Sequence, residues 1–403
     1  MRNNIIFSLL NQAISLISSS LLILILSKFL DFEEFNRYNI FVTLSGFFIL
    51  FFDFGIGASY PRDLASNSSK FIKELNTIYT FKALLFFIYY AFLVLFSICF
   101  YDVGYNEIFT LTLVSVYIYL TGLFDFLISA LNSLKLNNEI FKISLLLRIL
   151  SIIVVSLMYF FALTLDTILF TIILILMISN ILCMSRIVKF QPFKVKFDFS
   201  FSIFFERINK SIILVLVPFF EFLLLRTDKL ILPFFSQEDV FANYIIIIFI
   251  ITSFSMLNIS VIKVLYVYFT QIHKEKFSEN FLIKSIGLIS IISLIFMGVN
   301  HLFSEKLLFF FYNDKFSYTK ELILLLNPAI IFYSIFGLVQ YFLIASKKYG
   351  QLVKVYLVAI LFCGIFQILF YEILGYKTAI INLYLAFSII NILGLRILLK
   401  KDN

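Results

Sequence analysis

The chain has 403 residues, 62% of them apolar and only 14% charged, with a mean hydropathy of +1.03. A soluble domain carries roughly a quarter charged residues, so a water-soluble globular enzyme and a disordered chain are both excluded. The formal charge of +8 belongs to segments between apolar runs and is read against a bilayer, not nucleic acid.

A helix needs about 20 mostly apolar residues to cross about 30 Å of hydrocarbon. Twelve runs satisfy this: Ile5–Ser27, Tyr38–Ser59, Ile78–Phe100, Ile108–Leu131, Ile143–Leu163, Thr167–Val188, Ile212–Phe235, Phe241–Phe269, Phe281–Phe303, Leu322–Ala345, Leu352–Leu374 and Thr378–Leu399. The first run is too long for a signal-peptide core and reads as span one. The connections are short, and the longest, rich in Lys and Arg, divides the chain near its middle. The expected class is all-α, a polytopic membrane protein of twelve transmembrane helices. The expected organisation is a six-helix bundle over 1–190, a basic cytoplasmic linker over 191–210 and a second six-helix bundle over 211–403.

Charge orients the spans. With a cytoplasmic N-terminus, the inner connections and termini hold 21 of the 32 basic residues and the outer ones hold 8. The bias alternates from loop to loop, as the positive-inside rule requires. Both termini are therefore expected in the cytoplasm.

The halves carry a short likeness. Glu33-x-Phe35-x-x-Tyr38 precedes span two and Asp239-x-Phe241-x-x-Tyr244 precedes span eight. A true repeat of six spans would make the halves parallel, related by an axis along the membrane normal.

Six charges stand out within the spans: Asp53, Lys82, Asp125, Arg148, Glu221 and Lys263. Each costs about 2.5–3.5 kcal/mol at a helix centre, so they must pair, snorkel or face water. Lys82, Asp125 and Arg148 sit toward the inner ends of spans three, four and five. They form either an ion-pair network that fixes packing or a hydrated vestibule for an anionic head group. Lys263 either snorkels or joins that vestibule. Glu221 stands near mid-membrane close behind Pro218, where proline can kink a helix. It is either structurally paired or an ion- or proton-responsive switch. Pro328 offers a second kink in span ten. Arg226, Asp228 and Lys229 read as an exposed interfacial cluster.

Catalytic signatures are absent from the sequence. There is no Gly-rich lysine loop for ATP and no HExxH. The two His and three Cys, Cys99, Cys183 and Cys363, are too scattered for a metal site or a disulfide framework, and the Cys read as packing residues.

The segment Phe52-Asp53-Phe54-Gly55-Ile56-Gly57-Ala58-Ser59, followed by Pro61-Arg62-Asp63-Leu64-Ala65, resembles the DFG(L)xxSxxRE(I/L)A signature of Wzx-type oligosaccharide flippases of the multidrug/oligosaccharidyl-lipid/polysaccharide (MOP) exporter superfamily. Leu30-Asp31-Phe32-Glu33-Glu34-Phe35-Asn36-Arg37-Tyr38 is similar to that family's L-x-x-E-E-F-G-x-Y, with Asn36 in place of glycine. Asp228 with Gln237–Tyr244 looks like the family's passage from span seven to span eight.

The resemblance implies a MATE-like fold of two bundles around a central cavity, in a bacterial inner membrane. It implies translocation of a polyprenyl-diphosphate-linked O-antigen or capsule repeat unit from the cytoplasmic to the outer face by alternating access. Arg148, Lys82, Lys263 and Asp125 would form the substrate site, and Glu221, Pro218, Asp53 and Arg62 would serve coupling or gating. No cofactor is expected beyond coupling to H+ or Na+, and no metal. The expected partners are the lipid-linked glycan, the bilayer and a glycan polymerase of the same pathway. Two rivals remain. A membrane polymerase or ligase would need a larger outer loop than the chain has. A small-solute exporter of the same superfamily would accept cations poorly beside a basic vestibule. A purely structural membrane scaffold is a more distant alternative.

Overall fold

The computed structural model describes residues 18, 22–53, 71–101, 103–134, 136–161, 164–190, 201–234, 236–272, 279–312 and 319–400. Among these residues the chain is all helix, without a strand. After a helical stretch over 22–29, the helices are α1 (Phe32–Asp53), α2 (Phe71–Tyr101), α3 (Tyr105–Ser133), α4 (Asn137–Phe161), α5 (Leu165–Phe190) and α6 (Phe201–Ile231). A 3-10 turn, Leu232–Phe234, leads to α7 (Glu238–Ile272), α8 (Glu279–Tyr312), α9 (Thr319–Leu326), α10 (Ala329–Ala345), α11 (Tyr349–Leu374) and α12 (Lys377–Leu399).

Helix is the only economical choice here. A lipid-immersed backbone must satisfy its own N–H and C=O groups, and a helix does so within one segment. Nine helical segments among the described residues are long and apolar enough to cross a membrane. Their outward faces are apolar: Phe87 is 70% exposed, Ile373 76% and Ile368 81%. The architecture is therefore the all-α, multi-pass arrangement expected from the sequence, although span one lies largely outside the described residues.

Two boundaries differ from the sequence expectation. Span ten is two helices, α9 and α10, because Pro328 has no N–H to continue the ladder and caps α10. At the break the Asn327 side chain ties the chain to α8: Asn300 Nδ2 donates to Asn327 Oδ1 at 2.9 Å, and Asn327 Nδ2 donates to the Met297 carbonyl at 3.0 Å. Pro218, in contrast, lies inside an α6 that continues on both sides of it. The basic linker 191–210 is helix from Phe201 onward, since no Gly or Pro stops the helix before Pro218.

Contacts group the chain into two compact units. One runs from Arg37 to Phe219, and the other combines Ile23–Asn36 with everything from Phe220 onward. This division falls within α6. In the first unit α3 and α4 pack on α5, and α2 on α3. In the second, α10 is central and packs on α7, α8 and α12, while α11 packs on α12. Small and polar residues hold these apolar helices together, as expected where water no longer drives association. Asn258 on α7 donates to Ser293 on α8 at 2.9 Å and to Ser334 on α10 at 2.7 Å.

Ion pairs join helix ends assigned to the same side by the loop charges. Arg37 pairs with Glu107 and Lys377 with Glu321 at ends read as outer. Glu139 pairs with Arg186 at 3.2 Å at ends read as inner. The two Phe–Tyr motifs are also alike in burial: Phe35 and Phe241 are buried, as are Tyr38 and Tyr244. Within the second unit, Asn36 Nδ2 donates to the Glu238 carbonyl at 2.9 Å.

Candidate functional site

The first unit brings three of the expected residues together. Asp125 on α3 lies within electrostatic reach of Arg148 on α4 and Lys82 on α2. Asp125 is exposed, and the two basic side chains are half-buried. The Lys82 ammonium sits 5.7 Å from the centre of the Phe126 ring, a distance at which the ring face attracts a cation. Tyr117, two turns before Asp125 on α3, feels both Arg148 and Asp125. Nothing in the sequence pattern singled it out; its helical spacing of eight residues from Asp125 was the available signal.

This group is a small polar site on an apolar bundle. Two cations lie within electrostatic reach of one exposed carboxylate. An anion placed there would meet a guanidinium able to donate two parallel hydrogen bonds and an ammonium as a point charge.

The second unit holds Glu221. Its carboxylate accepts a 2.6 Å hydrogen bond from Gln340 Nε2 of α10, and Tyr333 and Tyr356 lie within its electrostatic reach. Pro218 stands three residues before it on α6. Gln340 was not legible as a partner, since 119 residues separate the two.

Asp228 and Lys229 are not an exposed interfacial cluster. Lys229 is 4% exposed, and Asp228 accepts a hydrogen bond from the Tyr244 hydroxyl of α7. The reason is packing: α6 leads through the 3-10 turn into α7, and this return buries the end of α6 against the start of α7.

The remaining expected residues are not part of either group. Asp53 is the last residue of α1 and Lys263 lies on α7; their side chains lie outside what is described. Arg62 and the signature segment from Phe54 to Ala65 lie outside the described residues. Of the cysteines, Cys183 is buried, Cys363 is half-buried and Cys99 is exposed. Among the described residues no cluster of His, Cys, Asp and Glu would hold a metal ion.

No family model matches this sequence, and no curated protein matches it. Solved structures do. The lipid II flippase MurJ, in an inward closed conformation, aligns with a TM-score of 0.66 and 18% identity over 99% of this chain and 87% of that one. The eukaryotic MATE transporter AtDTX14 aligns with a TM-score of 0.65 and 14% identity over 98% and 95%. An outward-facing multidrug MATE transporter of the MOP superfamily gives 0.60 and 13% over 99% and 96%.

The chain has the fold of these solved transporter structures. At these identities the likeness carries the architecture, a multi-pass membrane transporter fold, and leaves the substrate to the residues of the site.

Proposed function

We propose that this protein is a flippase that moves a polyprenyl-diphosphate-linked oligosaccharide repeat unit, of the O-antigen or capsule type, from the cytoplasmic to the outer face of a bacterial inner membrane. The observation that carries the reading is the Lys82–Asp125–Arg148 group of the first unit. Two cations within electrostatic reach of one exposed carboxylate suit the diphosphate of a lipid carrier, which would compete with Asp125 for them. The lipid tail stays in the bilayer while the polar head crosses by alternating access. Likeness to a lipid II flippase supports a lipid-linked substrate, and a transporter role supports a non-enzymatic reading.

Coupling to H+ or Na+ is part of the same proposal. Glu221, held by Gln340, is the carboxylate assigned to it. A glycan polymerase of the same pathway is the expected partner.

The test is deletion of the gene followed by analysis of lipid-linked glycan. A flippase null accumulates single repeat units facing the cytoplasm. Single units accumulating on the outer surface would instead indicate the polymerase or ligase. A MATE-like exporter is the second reading, favoured by the MATE neighbours. It predicts unchanged lipid-linked glycan and altered resistance to small solutes.

A further inference from the structure

A small cavity lies inside the second unit, where the last turns of α6 pass α7, α10 and α12. Its volume is about 40 Å³. Ile251, Ala329 and Phe387 in its wall are all buried. It shares no residue with the Lys82–Asp125–Arg148 group.

Its polar lining is rich in donors. Arg226 and Lys229 both line it, and a spacing of three residues on α6 puts them on one helix face. Lys229 is only 4% exposed. Among the described residues its ammonium makes no hydrogen bond and no ion pair, yet it keeps surface open to the cavity. Arg226, half-buried, likewise has no bonded partner among them. Tyr333 of α10 lines the same space, lies within electrostatic reach of Arg226, and makes no hydrogen bond through its hydroxyl among the described residues.

Acceptors are few. Asp228 lies within electrostatic reach of both cations. One of its oxygens accepts the Tyr244 hydroxyl, and the other has no surface toward the cavity. Thr252 donates to the Phe249 carbonyl at 3.0 Å, so its oxygen is the one side-chain acceptor left to the space. Glu221 does not line it and is held by Gln340. Two positive charges therefore face the cavity with one carboxylate beside them.

This set defines the chemistry of an occupant. A buried charge is normally paired, and buried donors normally find acceptors. A water molecule accepts from at most two of the three donors and leaves the surplus positive charge in place. A small cation is repelled by that charge. A lipid head group or a sugar diphosphate is too large, since one water already takes about 30 Å³ in the liquid. A monovalent anion close to the size of a water offsets the charge and accepts from ammonium, guanidinium and phenol together, through charge-assisted bonds.

We propose that this cavity is a site for one small monovalent anion of the halide class, chloride in the cell, held by Lys229 with Arg226 and Tyr333. On the topology read from the loop charges it lies toward the outer end of α6, and the bound anion ties that end to α10.

The full chain, purified in detergent in sodium gluconate, provides the test. Replacing gluconate by chloride at constant ionic strength should raise the unfolding midpoint saturably with chloride concentration. Choline chloride and sodium bromide should do the same, and radioactive chloride should bind to one site per chain. Lys229→Met, which exchanges the ammonium for an apolar chain, should weaken binding about thirtyfold or more while leaving the midpoint in gluconate no lower than that of the native chain. Tyr333→Phe removes a hydroxyl and no packing; it should weaken binding about tenfold, and it supplies the comparison if Lys229→Met does not fold. Equal midpoints in gluconate and chloride, with no chloride retained, would overturn the proposal and leave a water in the cavity. A chloride response unchanged in either folded variant would also overturn it, since the anion would then sit elsewhere.

Discussion

Gln340 on α10 donates a 2.6 Å hydrogen bond to the carboxylate of Glu221 on α6 across 119 residues of sequence. The bond fixes a mid-span carboxylate to the central helix of the second unit, one turn beyond Pro218. The contact between α6 and α10 at this point is therefore made through a carboxylate.

The two residues separate stability from coupling. Gln340→Leu removes the donor and leaves the carboxylate unsatisfied, which costs about 1–3 kcal/mol and lowers the unfolding midpoint in detergent. Glu221→Gln keeps a hydrogen-bonding side chain of the same size. That variant should insert at normal abundance yet transport slowly, with a flattened response to a pH or ion gradient. Full activity with an unchanged gradient response would remove Glu221 from coupling.

Arg148 tests the anion site. Arg148→Lys should be well expressed but impaired in glycan export, because a point charge loses the two-pronged grip on phosphate. Arg148→Ala should reach normal abundance and fail to export. Restored export in the Arg148→Ala, Asp125→Ala double variant would mean that the two serve packing alone.

Close packing of α12 on α10 depends on Gly394. A Cβ built there would collide with the Val339 side chain. Gly394→Val should destabilise the protein by about 1–3 kcal/mol through overpacking, measured as a lower unfolding midpoint in detergent. Adding Val339→Ala should recover part of that loss; no recovery would mean that the two helices do not meet at this point.

The orientation is open to direct measurement. In a background lacking the native cysteines, cysteines placed at Ser68, Gln191 and Lys401 should resist an impermeant thiol reagent in intact cells. Cysteines placed at Asn106 and Gln237 should be labelled. Labelling at Ser68 or Gln191 would invert the topology and move the Lys82–Asp125–Arg148 group to the opposite side.

Hydropathy alone determined that this chain is a helical membrane protein, because backbone groups in hydrocarbon have few ways to be satisfied. The same local signals placed most helices, and the alternation of Lys and Arg grouped helix ends whose ion pairs are in fact formed. Composition also marked Lys82, Asp125, Arg148 and Glu221, since a charge inside an apolar run is expensive wherever the run folds. What it left open was the identity of their neighbours. Only the tertiary structure decided that Lys82, Asp125 and Arg148 converge, that Gln340 holds Glu221, that Lys229 is buried and that Pro328 ends one helix where Pro218 does not. Each of these depends on which helix lies alongside, and contacts between apolar helices in lipid are set by local packing and hydrogen bonding, which leave little periodic trace in a sequence that is apolar on almost every face.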